Sequence, residues 1–150
     1  MRAVVQRVAR ASVTVDGEVV GRVERGLLVL LGVMEGDSER EAEWMADRIA
    51  GYRVFEDETG RMNRSITDVG GGCLVVSQFT LAADGRKGRR PSFDRAAEPE
   101  TARVLYQSVS DRLSGMGLTV EQGRFGAKMA VELLNDGPAT FVLETLPAPG

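Results

Sequence analysis

Val13-Thr14-Val15-Asp16-Gly17-Glu18-Val19-Val20, followed after Glu24-Arg25-Gly26 by the apolar run Leu27-Leu28-Val29-Leu30-Leu31-Gly32-Val33, is the stretch on which the fold turns. Valines at 13, 15, 19 and 23 keep an even spacing, and Asp16-Gly17 supplies the positive-φ pair of a tight hairpin. The spacing predicts two or three short strands between residues 4 and 23. The run at 27–33 does not alternate at all. Its length and flanking glycines suit a central strand covered on both faces.

Working outward, Ser38-Glu39-Arg40-Glu41 has the form of a capping box and predicts a helix to about Ala50, with Gly51 placed to stop it. Trp44, Met45 and Ile49 give that helix one apolar stripe, so Trp44 is expected in the core. Residues 53–72 read as polar and turn-rich, and Gly70-Gly71-Gly72 as a flexible entry to the next strand. No helix follows that triplet, so it does not fit a phosphate loop. Leu74-Val75-Val76-Ser77-Gln78-Phe79-Thr80-Leu81 predicts a strand that places Ser77, Phe79 and Leu81 on one face and Gln78 with Thr80 on the other. Pro99 opens a second helix whose apolar positions are Ala102, Leu105, Val109 and Leu113, ended by Gly115 and Gly117. Strands at 118–120, 129–134 and 139–143 complete an α+β domain: a mostly antiparallel or mixed, barrel-like sheet with two main helices. The domain is expected over 1–145, with 146–150 (through Pro147-Ala148-Pro149-Gly150) a frayed tail.

Composition narrows the chemistry. The chain has 150 residues, is 43% hydrophobic and carries a net charge of -3, as expected of one soluble domain. Its start enters an alternating pattern at once, with no signal-peptide layout, which points to the cytoplasm. It contains no histidine. That excludes Ser-His-Asp and Cys-His catalysis and the usual nitrogen ligands for zinc or iron. An enzyme built this way works through hydroxyls, carboxylates, lysine, backbone dipoles or groups on the substrate. The one cysteine, Cys73, heads an apolar run and reads as a small buried hydrophobe.

Two segments stand out as recognition elements. Arg86-Lys87-Gly88-Arg89-Arg90 concentrates positive charge on an acidic chain, which indicates a local anion site or a solvated loop, and argues against indiscriminate nucleic-acid binding. Asn135-Asp136-Gly137-Pro138-Ala139-Thr140 is turn chemistry by composition. A Gly-Pro step also lets main-chain carbonyls press against a ligand, because glycine has no side chain and proline fixes φ.

Taken with Ala3-Val4-Val5-Gln6-Arg7-Val8 and Ser77-Gln78-Phe79-Thr80-Leu81, the hexapeptide at 135–140 resembles the bacterial D-aminoacyl-tRNA deacylases, also called D-tyrosyl-tRNA deacylases. Gly60-Arg61-Met62-Asn63, the 86–93 segment and Gly123-Arg124-Phe125-Gly126 are similar too, so the resemblance extends to about Leu143. Departures are confined to Cys73, Ala83 and Ala139. The resemblance implies hydrolysis of the ester between a D-amino acid, or glycine, and the terminal ribose of tRNA, with L-aminoacyl-tRNA spared. It further implies a homodimer, a cis Gly137-Pro138 bond, and a Gly-Pro motif that reaches into the partner subunit's active site.

On that basis Gly137 and Pro138 form a backbone gate against an L side chain, and Arg7 is the candidate for holding it, with a surface salt bridge as the other role open to it. Backbone N–H groups near Gln78 and Phe79 are candidates for an oxyanion hole, and Ser77, Gln78, Phe79 and Thr80 for the catalytic set. Thr80 orients the ester or water; as a covalent nucleophile it lacks an evident base. Arg86, Lys87, Arg89 and Arg90 are candidates for phosphate contacts, and Phe93 or Phe125 for base stacking or, alternatively, core packing. No metal and no organic cofactor is expected. The alternative is a non-catalytic module that binds RNA ends through the basic loop.

Overall fold

The computed structural model describes residues 1–145, so the expected frayed tail at 146–150 lies outside the described residues. The valine-rich start forms β1 (Arg2–Val15), which turns through Asp16 (φ 49°) and Gly17 (φ 80°) into β2 (Glu18–Val23). β1 is one long strand because it is paired along both edges. The last strand, β8 (Ala130–Glu144), runs antiparallel to it from Arg2 to Thr14. On the other edge β3 (Gly26–Gly32) pairs with residues 2–8 and β2 with residues 11–15, both antiparallel.

Beyond β3 the pairing becomes parallel. β3 pairs with β6 (Gly72–Ser77), and β6 with β7 (Thr119–Gln122). The six-stranded sheet curls until β2 and β7 approach each other, which gives the barrel-like form. β3 is covered on both faces, as its unbroken apolar run requires, and Leu27, Leu28 and Val29 are wholly buried.

The two faces of the sheet build two cores. Leu27, Val29, Leu31, Cys73 and Val75 face the helices, whereas Leu28, Leu74 and Val76 fill the barrel interior with Val13 and Val15. β1 changes face midway: Ala3 and Val5 lie in the helix-side core, but Val8, Ala11 and Val13 lie in the interior one. A strand can do this only by breaking register, and the β1–β8 ladder slips on either side of Val8. Cutting a wholly buried leucine such as Leu28 to alanine in such a core costs about 2–5 kcal/mol.

Helix α1 (Glu39–Gly51) begins with the predicted capping box, the Ser38 N–H donating to Glu41 Oε2 at 2.7 Å. It buries Ala42, Met45, Ala46 and Ile49, but not Trp44. Trp44 is 36% exposed beside the stripe, with the Arg48 guanidinium 5.0 Å from its ring centroid. The second long helix (Pro99–Gly115) starts on proline as expected, and its Tyr106 hydroxyl donates to the Val75 carbonyl at 2.8 Å.

Residues 53–72 are more ordered than their composition implies. They form β4 (Phe55–Glu56), β5 (Met62–Arg64) and α2 (Ile66–Val69), so the helix at 99–115 is α3. The signal for α2 is Ser65-Ile66-Thr67-Asp68, a capping box that closes on both sides. Nor is the triple glycine a loose entry. Gly26 and Gly72 pair across β3 and β6 so closely that a Cβ on Gly26 would fall on the Gly72 carbonyl.

Candidate active site

The strand predicted through Leu81 ends four residues early. The Gln78 N–H donates to the Leu31 carbonyl at 2.8 Å, extending the β3–β6 ladder, but β3 stops at Gly32 and offers no further partner. The chain then coils into a 3-10 turn, Phe79–Ala82, with Leu81 N–H on the Gln78 carbonyl at 3.1 Å. Arg2 Nη1 pins the far end by donating to the Leu81 carbonyl at 2.6 Å. The expected alternation of faces is therefore not realised. Gln78 and Thr80 still meet, because the turn brings them together: Gln78 Nε2 donates to Thr80 Oγ1.

The same geometry decides which N–H groups near Gln78 and Phe79 are free. The Gln78 N–H is already committed to Leu31 and is not available. The N–H groups of Phe79 and Thr80, at the start of the turn, have no acceptor among the described residues. Two adjacent unpaired donors beside a hydroxyl are suited to holding an oxygen that gains negative charge.

Ser77, Gln78 and Phe79 line a cleft of about 470 Å³, whose remaining wall is mostly apolar: Val33, Ala96, Ala97, Phe125, Met129 and Val131 among others. Sequence reading missed Ala96 and Ala97, since small residues without periodicity give no signal, and took Met129 only as the start of a strand. Phe125 packs on Tyr106 at 5.9 Å between centroids. Phe79, 58% exposed, meets Phe93 at 5.2 Å, joining the turn to the end of the basic loop.

Asn135 to Thr140 forms the second part of the site. β8 was expected as two strands; it is one, interrupted where Gln6 faces Thr140 and Val8 faces Asn135, so that residues 136–139 bulge out opposite Arg7 alone. The Gly137-Pro138 peptide is cis. Arg7 is 4% exposed and sits beneath the bulge, donating from Nε to the Asp136 carbonyl at 2.9 Å and from Nη1 to the Val54 carbonyl at 2.6 Å. Carboxylates of Asp136 (3.3 Å) and Glu56 (3.9 Å) balance its charge. Asn135 Nδ2 donates to the Arg7 and Ala139 carbonyls at 2.9 and 3.1 Å. Arg7 is thus a buried fork on backbone carbonyls that also pairs with two exposed carboxylates. Gly137 and Pro138 are exposed, and neither lines the cleft that Ser77 to Phe79 line.

The basic segment is a closed loop. Asp84 and Ser92 exchange backbone hydrogen bonds at 2.8 and 3.0 Å, and the residues between them are exposed. Arg86 differs from the other three cations: it lies on Asp84, with Nη2 to Oδ2 at 2.7 Å. Those hydrogen bonds hold the Asp84 carboxyl down at about 2. Lys87, Arg89 and Arg90 have no ion-pair partner among the described residues. Cys73 is buried, and burial pushes its thiol up to about 12, so it remains an inert apolar group.

A curled mixed sheet that carries a polar turn at the lip of an apolar cleft, with an arginine-held Gly-Pro bulge on its longest strand pair, defines a narrow class of α+β protein. The profile of the family described as D-Tyr-tRNA(Tyr) deacylase matches residues 4–144, and the chain belongs to that family. It is 59% identical over 145 residues to a D-aminoacyl-tRNA deacylase of Desulfitobacterium hafniense, covering 97% of each chain. It is 56% identical over 150 residues to one of Geobacter metallireducens, covering 100% of this chain and 99% of the relative. Among solved structures it is similar to the c-Myc DNA Unwinding Element Binding Protein, with a TM-score of 0.91 and 45% identity over 99% of this chain and 100% of that one. A probable eukaryotic D-amino acid tRNA deacylase shares the fold at a TM-score of 0.82 and 16% identity, covering 95% and 97% of the two chains.

Proposed function

We propose that this chain hydrolyses the ester between a D-amino acid and the terminal ribose of tRNA, releasing free amino acid and tRNA, and spares L-aminoacyl-tRNA. Family membership over residues 4–144 supports the activity. The observation that carries the mechanism is the turn at 78–82, with unpaired Phe79 and Thr80 N–H groups beside the Thr80 hydroxyl.

Water attacks the ester carbonyl carbon, and the carbonyl oxygen, now negative, is held by those two N–H groups. The bond to the ribose oxygen then breaks, and that oxygen takes a proton. Gln78 fixes the Thr80 hydroxyl, which orients the ester or the water, while Ser77 completes the polar lip. With no histidine in the chain, the neighbouring ribose hydroxyl is the group placed to assist proton movement.

Chirality is read by the Gly137-Pro138 bulge of a second copy. Its exposure, and its position outside its own chain's cleft, support a homodimer in which each subunit lends the gate to the other. Backbone on the side where an L residue carries Cβ rejects every L substrate whatever its side chain. Glycine and D residues put only hydrogen there, so glycyl-tRNA is accepted as well. Lys87, Arg89 and Arg90 hold acceptor-end phosphates. No helix among the described residues is long and apolar enough to cross a membrane. Action on aminoacyl-tRNA, the substrate of translation, supports a place in the cytoplasm.

Incubation with matched D- and L-tyrosyl-tRNA tests the proposal. Release of D-tyrosine alone is the expected result. Equal hydrolysis of both would remove the gate, and binding without hydrolysis would make the chain an RNA-end binding module.

A further inference from the structure

We infer that the side chain of Asn135 sets the shape of the 136–139 bulge and is thereby a positioning residue for chiral discrimination; this rests on the reading of the bulge as the element that rejects L residues. The bulge holds four residues against one on β1, and a loop of that kind has no ladder of its own to fix it. It is fixed instead at three points. Arg7 holds its first carbonyl, at Asp136. Gln6 Nε2 donates to Thr140 Oγ1 at 3.1 Å just beyond its far end. Asn135 spans the space between, tying the Arg7 carbonyl on β1 to the Ala139 carbonyl on the return of the bulge.

The orientation of this carboxamide follows from its partners. Backbone carbonyls only accept, so the amide nitrogen must face both of them, and Oδ1 must point the other way. That way lies Gly137. A Cβ built on Gly137 would sit 2.5 Å from Asn135 Oδ1 and 3.3 Å from its Cγ. Asn135 therefore acts twice: its donors fix where the bulge returns, and its oxygen occupies the space that a side chain at 137 would need. Among the described residues no side chain hydrogen-bonds to Gly137 or Pro138, whereas those of Arg7 and Asn135 hold Asp136 and Ala139 on either side, so the position of the gate is inherited from Asn135 and Arg7.

Asn135→Asp tests this directly, because it keeps the size but turns the amide NH2, which donates to both carbonyls, into a single oxygen facing them. The ratio of kcat/KM for L-tyrosyl-tRNA to that for D-tyrosyl-tRNA is expected to rise on the order of tenfold, the effect of losing about one positioning hydrogen bond in the discriminating step. If Asn135→Asp does not fold by circular dichroism, Asn135→Ala gives the same reading. In the Asn135→Ala background Gly137→Ala should change the ratio less than it does in the unmodified chain, because the oxygen it clashes with is gone. Additive effects in this cycle, or an unchanged ratio in a folded Asn135 variant, would overturn the inference. Pro138→Ala run in parallel separates the two layers. A ratio raised by Pro138→Ala but not by Asn135→Asp overturns the role of Asn135 and leaves the gate standing, whereas a ratio raised by neither overturns both.

Discussion

Arg7 Nε lies 2.9 Å from the carbonyl oxygen of Asp136, joining two residues 129 positions apart where a four-residue bulge interrupts the β1–β8 ladder. The guanidinium is buried, and two of its nitrogens are spent on backbone carbonyls in different elements. The side chain ties Val54, between α1 and β4, to the bulge in the middle of β8, the longest strand. Replacing Arg7 by methionine keeps much of its volume and removes the fork. Stability should fall by about 1–3 kcal/mol, read from urea unfolding, because the Val54 carbonyl loses its donor inside the fold. Arg7→Lys should recover little of it, since an ammonium cannot serve both carbonyls from one plane. Full recovery by lysine would show that charge alone is what matters at this position.

Thr80 separates positioning from covalent catalysis. Thr80→Val removes the hydroxyl that Gln78 holds but leaves the backbone donors in place. The expected outcome is a kcat lowered by about 10- to 100-fold with D-substrate hydrolysis still measurable, since hydroxyl positioning contributes that much and the oxyanion donors remain. Complete loss, with an acyl-enzyme burst in the unmodified chain, would establish Thr80 as the nucleophile instead.

The basic loop should act unevenly. Arg86 is neutralised by Asp84, whereas Lys87, Arg89 and Arg90 are not paired. Each alanine substitution at the latter three is expected to lower the salt slope of tRNA binding by about 0.7 to 0.9, and Arg86→Ala by less. Filter binding across a salt series makes the comparison. Equal slopes for all four variants would mean that the Arg86–Asp84 pair opens when tRNA binds.

Alkaline stability has a defined sign. Burial raises the Cys73 thiol from 9.0 to about 12, and burial raises the Tyr106 phenol from 10.0 to about 12. Both groups lose protons more readily in the unfolded chain. Their contribution is therefore fully present below the unfolded values and is lost as pH climbs through 9 to about 12. Denaturation midpoints should fall over that window, and Cys73→Ala should flatten its lower part. A thiol reagent at neutral pH should label Cys73 only after unfolding; rapid labelling of the native protein would contradict its burial.

Much of the fold was legible because its signals are local. The Asp16-Gly17 turn, the β3 run, the capping box at Ser38 and Pro99 at the start of α3 each follow from a few neighbouring residues, and each stands where the residues place it. Local patterns also misled. The alternation from Ser77 to Leu81 suggested strand, but a strand needs a partner, and β3 ends before it can supply one. Trp44 shares the helical stripe of α1 in sequence, but it stays outside the buried set of the helix, under the Arg48 guanidinium.

What the sequence determined by itself is the inventory: hydroxyls, backbone and cations without a single histidine, a Gly-Pro step in a turn-rich hexapeptide, and strands enough for a curled sheet. Only the tertiary structure decided how these act on one another. It committed the Gln78 N–H to Leu31 and left those of Phe79 and Thr80 unpaired, paired Arg86 but not Lys87, Arg89 or Arg90, and set Arg7 and Asn135 under the bulge. For the bulge the reason is that Arg7 and Asn135 meet their partners through the register of two strands more than a hundred residues apart, and no window of sequence holds both sides of such a ladder.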